Sequence, residues 1–254
     1  MFTIKIADIP IGIQNLHYYI FDVSREYLTE EEPCFTVFAS AEDIEYEREL
    51  AKDSFPEPIL EATAIYRKIA EKLFEYSAFV FHGAVIELDG GAYLFTAKSG
   101  VGKTTHIKRW LSYFGERASV LNGDKPVIRL VEGRPYVSGT PWRGKEAYGK
   151  PGFLPLRGIA FLERADENIA TPVKPDAFVM RFAEQAHIPR TSARTTAATL
   201  SLLDATLRSV PLINLKCNMD ISAARVAYEA FLKAESEFKR INGINIINKK
   251  DDKN

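Results

Sequence analysis

A glycine-rich segment between a strand-like run and a helix constrains this chain most: "FTAKSGVGKTTHIKRW", residues 95–110. Its residues 97–104 match the Walker A pattern of a phosphate-binding loop, with Ala97 in place of the usual first glycine. Gly100 and Gly102 lack a Cβ, so the backbone N–H groups can turn inward, and the following helix N-terminus adds partial positive charge. The segment therefore predicts a nucleotide-binding P-loop rather than a chance turn.

The loop residues have distinct predicted roles. Lys103 is expected to pair with the outer phosphates, and the Thr104 hydroxyl to ligate Mg²⁺. The predicted cofactors are therefore ATP and Mg²⁺. The residues expected to hold the nucleotide are Ser99, Gly100, Val101, Gly102, Lys103, Thr104 and Thr105.

The segment before the loop predicts a hairpin. Two apolar runs flank Asp89-Gly90-Gly91, which is a strong signal for a two-strand turn. The strand that feeds the P-loop would then pair antiparallel with the preceding strand, so the predicted fold class is α/β with a mixed sheet. Further strands are predicted at 2–6, 17–23, 34–40, 118–122, 126–131, 134–139, 158–163 and 211–216, with turns at "PIGIQN" and "TEEEP".

Helices are predicted at 57–75, 102–113, 176–186, 195–208 and 221–233, the last capped by Asp220. The order of elements predicts a strand-and-helix N-terminal layer over 1–76, a nucleotide-binding core over 77–233 and a C-terminal tail over 234–254 whose end is disordered.

Charge and composition narrow the partners. The net charge of -1 arises from 33 basic and 34 acidic residues, which predicts no nucleic-acid partner. No apolar run is long enough for a bilayer, so we expect no membrane partner and a cytoplasmic location. A homo-oligomer is left open. Cys34 and Cys217 are expected to be buried thiols, and the spacing of His17, His106 and His187 predicts no zinc site.

Two residues outside the loop are candidates for the reaction. Asp124 follows the apolar run 118–122, where a Walker B acid that holds Mg²⁺ is expected; a turn role in "NGDKP" is the alternative. His82 lies on the strand before the hairpin and could contact phosphate or move a proton. Its alternative is a core histidine.

The segment "GTPWRGKE", residues 139–146, predicts an ordered loop with an anion site. Trp142 could form a substrate or nucleotide wall, and Arg143 and Lys145 could bind a phosphate or carboxylate. A solvated basic loop anchored by the tryptophan is the alternative. Arg164 and Arg190 are further candidate phosphate contacts, with ordinary surface charge as the favoured alternative.

Together, "FHGAVIELDGGAYLFTAKSGVGKTTH", "LNGDKPVIRL" and "GTPWRGKE" resemble the catalytic core of the HPr kinase/phosphorylase and phosphoenolpyruvate carboxykinase superfamily, over roughly residues 57–233. The resemblance implies a carboxykinase-type P-loop core with His82, Lys103 and Asp124 as catalytic residues. These families carry two adjacent aspartates at the strand end. In the most natural register Gly123 stands here in the position of the first, and a shift of one residue would instead place Asp124 first and Lys125 second; in both registers one carboxylate is missing.

The resemblance implies an ATP:Mg-dependent kinase that phosphorylates a hydroxyl. The acceptor is either a free serine-like molecule or a seryl group of a peptide or protein. Because one acid is missing, a nucleotide-binding regulatory or accessory protein with reduced catalysis is the alternative. Hydrolysis coupled to motion and carboxykinase activity are the least favoured hypotheses.

Overall fold

The computed structural model describes residues 1–98, 100–189 and 192–241. In this part of the chain two sheets are present, one of three strands and one of nine. The predicted boundary near residue 76 falls between them, because a 3₁₀ turn ends at Tyr76 and the first strand of the larger sheet begins at Ala78.

The N-terminal layer is a small sheet covered by helices. Its elements are β1 (Phe2–Ile6), β2 (Ile9–Gln14), α1 (Tyr18–Val23), β3 (Phe35–Phe38), α2 (Ala41–Leu50) and α3 (Glu57–Lys72). β2 lies in the centre, antiparallel to β1 and parallel to β3. The helix predicted over 57–75 is confirmed as α3 and the turn that follows it.

Two predictions in this layer are wrong. The run 17–23, predicted as a strand, contains the helix α1. The residues that lead into α1 are held by α3, because the Glu61 carboxylate accepts hydrogen bonds from the N–H groups of Leu16 at 2.5 Å and His17 at 2.9 Å. This contact comes from a residue distant in sequence, so the local aromatic and β-branched composition favoured a strand instead.

The segment "PIGIQN", predicted as a turn, lies mostly within the strand β2. Pairing on both sides outweighs the local proline and glycine signal. Gly12 permits the close approach of β3, since a Cβ at this position would lie 2.5 Å from Thr36 Oγ1.

The core contains the larger sheet and the P-loop. Its elements are β4 (Ala78–Val80), β5 (Ala84–Leu88), β6 (Gly91–Thr96), α4 (Lys103–Phe114), β7 (Ala118–Asn122), β8 (Val127–Val131), β9 (Arg134–Ser138), β10 (Phe153–Arg164), β11 (Ile169–Pro172), α5 (Val179–Ala183), α6 (Ala193–Ser209), β12 (Leu212–Cys217) and α7 (Ser222–Ile241).

The predicted hairpin and mixed sheet are both confirmed. β5 and β6 pair antiparallel around a turn in which Asp89 and Gly90 have φ of 50° and 73°. β6 also pairs parallel with β10, which continues the sheet towards β12 and, at its other end, towards β9. The strand order β4-β8-β9-β10-β6-β5-β7 places the ends of β6 and β7 on the two sides of β5.

The helices of the core depart from prediction at their ends. Residues 176–186 form a 3₁₀ turn followed by the short α5 rather than one helix. The Asp220 carboxylate accepts a hydrogen bond from the N–H of Ser222 at 2.8 Å, as its predicted cap role requires. α7 continues to Ile241, so the segment predicted as a tail from 234 begins as helix; residues 242–254 lie outside the described part.

The two cysteines are free thiols, and the prediction that both are buried is wrong, because Cys34 is exposed and Cys217 is only half-buried. Cys34 is exposed just before β3, because the chain enters this edge strand from the surface loop 29–33. Burial raises the pKa of the Cys217 thiol at the end of β12. Of the helices in the described ranges, none combines the length and the apolar character that crossing a bilayer requires.

Candidate functional site

The P-loop connects the end of β6 to the start of α4, the arrangement expected for phosphate binding. Gly100 and Gly102 have φ of 80° and 120°, in the region that strongly favours glycine. Ser99 lies outside the described residues. The sequence-predicted glycine roles therefore have a direct backbone basis.

The Lys103 ammonium lies inside the loop and donates a hydrogen bond to the Ala97 carbonyl oxygen at 3.2 Å. Burial lowers the pKa of Lys103, and the negative charge of Asp124 opposes that shift. A half-buried ammonium bonded to a neutral carbonyl has an incompletely compensated charge, which an anion would neutralise.

Arg164 at the end of β10 supports the loop from outside. Its guanidinium donates hydrogen bonds to the Gly100 and Val101 carbonyl oxygens, at 2.5 and 3.2 Å. Arg164 thus has a specific partner rather than serving as ordinary surface charge, and that partner is the loop backbone. Arg190, the other candidate, lies outside the described residues.

The helix that carries Lys103 and Thr104 is anchored by a buried aromatic pair. Trp110 Nε1–H donates to His106 Nε2 at 2.9 Å, and the two rings pack against Phe95. Burial lowers the pKa of His106 to about 3, so the imidazole is neutral at physiological pH. His106 packs in the core and contributes no charge to the site.

His82 and Asp124 lie together at the surface beside the P-loop. His82 Nε2 is 3.4 Å from Asp124 Oδ1, and the two side chains are 28% and 32% exposed. His82 Nδ1 is 2.9 Å from Gln185 Oε1. His82 is therefore not an interior histidine, although its backbone belongs to the sheet region.

Asp124 is ionised in this arrangement. Burial would raise the pKa of Asp124, but the contact with His82 and the positive charges of Lys125 and Lys103 outweigh burial and hold the pKa below its usual value. The carboxylate is available to a cation or to a proton in transfer.

Asn122, which the sequence analysis did not single out, builds the turn that presents Asp124. Its fully buried side chain accepts hydrogen bonds from the N–H groups of Asp124 at 2.9 Å and Lys125 at 2.7 Å. Its amide nitrogen donates to the Thr140 carbonyl at 3.1 Å. The turn chemistry of "NGDKP" thus belongs to Asn122, and an asparagine two residues before the acid was the available signal.

Gly123 is held against the loop that follows β9. Its N–H donates to the Tyr148 carbonyl at 2.9 Å. A Cβ at this position would lie 3.1 Å from the Arg143 carbonyl and 3.2 Å from that of Tyr148. The side chain of an aspartate at position 123 would begin in tight contact with this loop. The substitution Gly123→Asp would therefore not simply place a second acid beside His82.

An open cleft of about 860 Å³ begins at Asp124 and Lys125. We call it the aromatic cleft and define it by two walls. The wall from the N-terminal layer includes Tyr19, Phe55, Ile59 and Tyr66, and the wall from the loop after β9 includes Trp142, Arg143 and Lys145.

The predicted anion-binding residues of this loop have different environments. Arg143 forms an ion pair with Glu26 and lies 5.5 Å from the centre of the Tyr27 ring, so its charge is already compensated. Trp142 packs edge-on against Tyr66 at 5.1 Å and lines the cleft as a wall. Lys145 is exposed. The loop is therefore ordered by side-chain contacts and not merely a solvated basic turn.

A second cleft, of about 610 Å³, lies on the other side of the P-loop. Val101, Gly102 and Thr105 contribute its loop side, and Arg164 and Asp166 contribute its β10 side. Residues 217–219, at the end of β12, complete it. Sequence reasoning missed this cleft because its members come from three separate segments.

The donor set suits magnesium bound together with a nucleotide. Thr104 and Asp124 are both partly exposed and offer a hydroxyl and a carboxylate oxygen. Magnesium prefers oxygen ligands and in nucleotide sites takes one or two from protein, with phosphates and waters supplying the rest. Among the described residues no three His, Cys, Asp or Glu side chains gather into a metal site, so no all-protein cage is present.

No family model matches the chain, and no curated protein matches it in sequence. Among solved structures, the Hpr(Ser) kinase/phosphatase from Coxiella burnetii matches at 10% identity and a TM-score of 0.38. The match covers 66% of this chain and 99% of that one. Because this likeness is so distant, the function is inferred from the residues and distances of this chain.

Proposed function

We propose that this protein is a kinase that transfers the terminal phosphoryl group of Mg–ATP to a hydroxyl. The observation that carries the proposal is the position of Asp124, which lines the open cleft, lies 3.4 Å from His82 Nε2 and acts electrostatically on the P-loop lysine. Phosphoryl transfer needs a phosphate cradle, charge neutralisation and a positioned acceptor, and these three requirements meet at Asp124.

The P-loop side would bind the donor. Lys103 and the inward N–H groups around Gly100 and Gly102 would hold the phosphates, with the N-terminus of α4 adding its partial charge. The second cleft, beside Val101 and Arg164, has room for the nucleoside. Thr104 and Asp124 would hold Mg²⁺, which when bound neutralises charge on the phosphates.

The acceptor hydroxyl would approach Asp124 from the aromatic cleft. His82 lines the adjoining pocket of about 250 Å³, which shares Tyr66 and Lys125 with the cleft. With Nδ1–H donated to Gln185 Oε1, His82 Nε2 can accept the hydroxyl proton, and the nearby Asp124 carboxylate stabilises the imidazolium that results. The hydroxyl oxygen forms a bond to the γ-phosphorus, the bond from phosphorus to the bridging oxygen breaks, and ADP leaves.

The test follows ATP consumption and phosphorylated product together, with a panel of serine-containing and other hydroxyl acceptors and Mg²⁺. The expected result is equal amounts of ADP and phosphorylated acceptor, both lost in His82→Ala. ATP binding with no product from any acceptor, in wild type and in the variant alike, would contradict the kinase proposal.

Gly123 favours a second candidate, a nucleotide-binding accessory protein without transfer activity. The strand end carries one carboxylate, and the tight contacts of a Cβ at 123 leave little room for another. This candidate predicts nucleotide-dependent changes in a partner's binding and no phosphorylated product. It is contradicted by stoichiometric product formation that depends on His82.

A further inference from the structure

We propose that the aromatic cleft binds a peptide, and that the accepted hydroxyl belongs to a seryl or threonyl residue flanked by an apolar residue and an acidic residue. This inference rests on the proposed function and chooses between the two acceptor classes that the sequence leaves open. It gives residues of the N-terminal layer a role in binding the acceptor.

The size of the cleft argues against a free amino acid. At about 860 Å³ it lies near the upper end of the range of roughly 300–1,000 Å³ for pockets that bury drug-sized ligands. A molecule as small as serine would fill a minor part of this space and leave the distant wall without contact. A chain segment of several residues reaches from Asp124 to that wall.

The chemistry of the N-terminal wall argues for apolar side chains on the ligand. Tyr19 and Phe55 are 41% and 42% exposed. Ile59 and Tyr66 of α3 are only partly buried and line the cleft. Aromatic anchors of this kind contribute most of the binding energy when a partner covers them.

The charges of the cleft argue for an acidic group. Arg25 pairs with Asp22 at 3.0 Å, and Arg143 pairs with Glu26. In the described part of the chain, Lys145 has no carboxylate within salt-bridge distance. Because its charge is uncompensated and exposed, an acidic residue near the accepted hydroxyl complements it.

The test uses synthetic peptides of equal length with one serine, in which Phe or Ala flanks the serine on one side and Glu or Gln on the other, alongside free serine. We expect kcat/KM with Mg–ATP to be about tenfold higher for Phe than for Ala, and higher for Glu than for Gln. Free serine should be the poorest acceptor. Phe55→Ala should remove most of the preference for Phe, and Lys145→Ala the preference for Glu.

Leu50→Ala is the matched control, because Leu50 is 61% exposed and does not line the cleft. It should keep both preferences. Free serine used as well as the best peptide, or no difference between Phe and Ala peptides in wild type, would overturn the inference while leaving the kinase proposal standing.

Binding of the same peptides, labelled with a fluorophore and measured by anisotropy with Mg–ADP present, separates the two failures. If ATP binds by calorimetry but no peptide binds in a Phe55-dependent way, the peptide cleft is wrong. If ATP itself does not bind, the proposed function is wrong.

Discussion

On one side of Asp124 the phosphate loop comes from the single stretch 97–105, whereas on the other side the aromatic cleft draws on residues from Tyr19 to Ala147. The proposed phosphate side consists of backbone N–H groups and one lysine, whereas the proposed acceptor side consists of side chains from two layers. The proposed donor site is thus local in sequence and generic in chemistry, and the proposed acceptor site is neither.

The largest expected effect tests the phosphate side. Lys103→Ala should weaken ATP binding by about 10²- to 10³-fold, because it removes a half-buried charge that pairs with phosphate. Calorimetry with Mg²⁺ measures the affinity, and circular dichroism checks the fold. Lys108→Ala, on the exposed face of α4, is the control. Equal ATP affinities for Lys103→Ala and wild type would contradict the proposed role of the P-loop in phosphate binding.

His82 lies where the two sides meet. His82→Ala should lower kcat by about 10²-fold with little change in ATP affinity, since a general base contributes roughly 10²–10⁴-fold. Single-turnover phosphotransfer is the measurement. His187→Ala removes a nearby histidine that has no proposed role in the reaction and should retain activity. Full activity in His82→Ala would leave Asp124 as the only candidate proton acceptor of the pair.

The burial of His106 makes the stability of the phosphate side depend on pH. Its folded pKa of about 3 lies below the ordinary 6.5, so the unfolded chain binds the proton first as the pH falls. The stabilisation is complete above pH 6.5 and declines towards pH 3, by about 2 kcal/mol between pH 7 and pH 5.

Urea unfolding at pH 7 and pH 5 should show a fall in the free energy of unfolding in wild type that His106→Gln does not show. His17→Gln, which alters a surface histidine paired with Glu57, should keep it. If the free energy of unfolding fell equally with pH in wild type and in His106→Gln, the loss would come from other titratable groups.

The smallest expected effect separates metal binding from turn formation at Asp124. Asp124→Asn should weaken ATP binding about tenfold with Mg²⁺ and little with EDTA, since a metal ligand acts only when the metal is present. Asp22→Asn removes another carboxylate of the aromatic cleft and should show no magnesium dependence. An equal loss in both conditions would mean that Asp124 shapes the turn instead.

The sequence predicted the parts of the molecule that local patterns specify. The Asp89–Gly91 hairpin, α3 and the mixed sheet follow from turn residues and hydrophobic periodicity. α1 and β2 did not, because the contact with Glu61 before α1 and the pairing with Thr36 come from residues distant in sequence.

The same distinction applies to the site. Motif and position predict Lys103, Asp124 and His82 as site residues, and in the structure His82 lies beside Asp124. The buried Asn122, the Gln185 partner of His82 and the whole N-terminal wall of the cleft depend on tertiary packing. No pattern within one segment encodes them.

The strand β10 gives the chain a specific sensitivity to insertions. Its first residues pair with β9, which leads to the loop of Trp142, and its later residues pair with β6, which leads to the P-loop. Gly158 follows an irregularity within the β6-paired half and would clash with Phe231 if it carried a Cβ. Adding or removing one residue within Phe153–Arg164 would turn one half of the strand over relative to the other. Changes of length in the loop 165–168 leave both pairings intact, so an insertion there would reshape the second cleft, to which Asp166 contributes, without turning over either half of the strand.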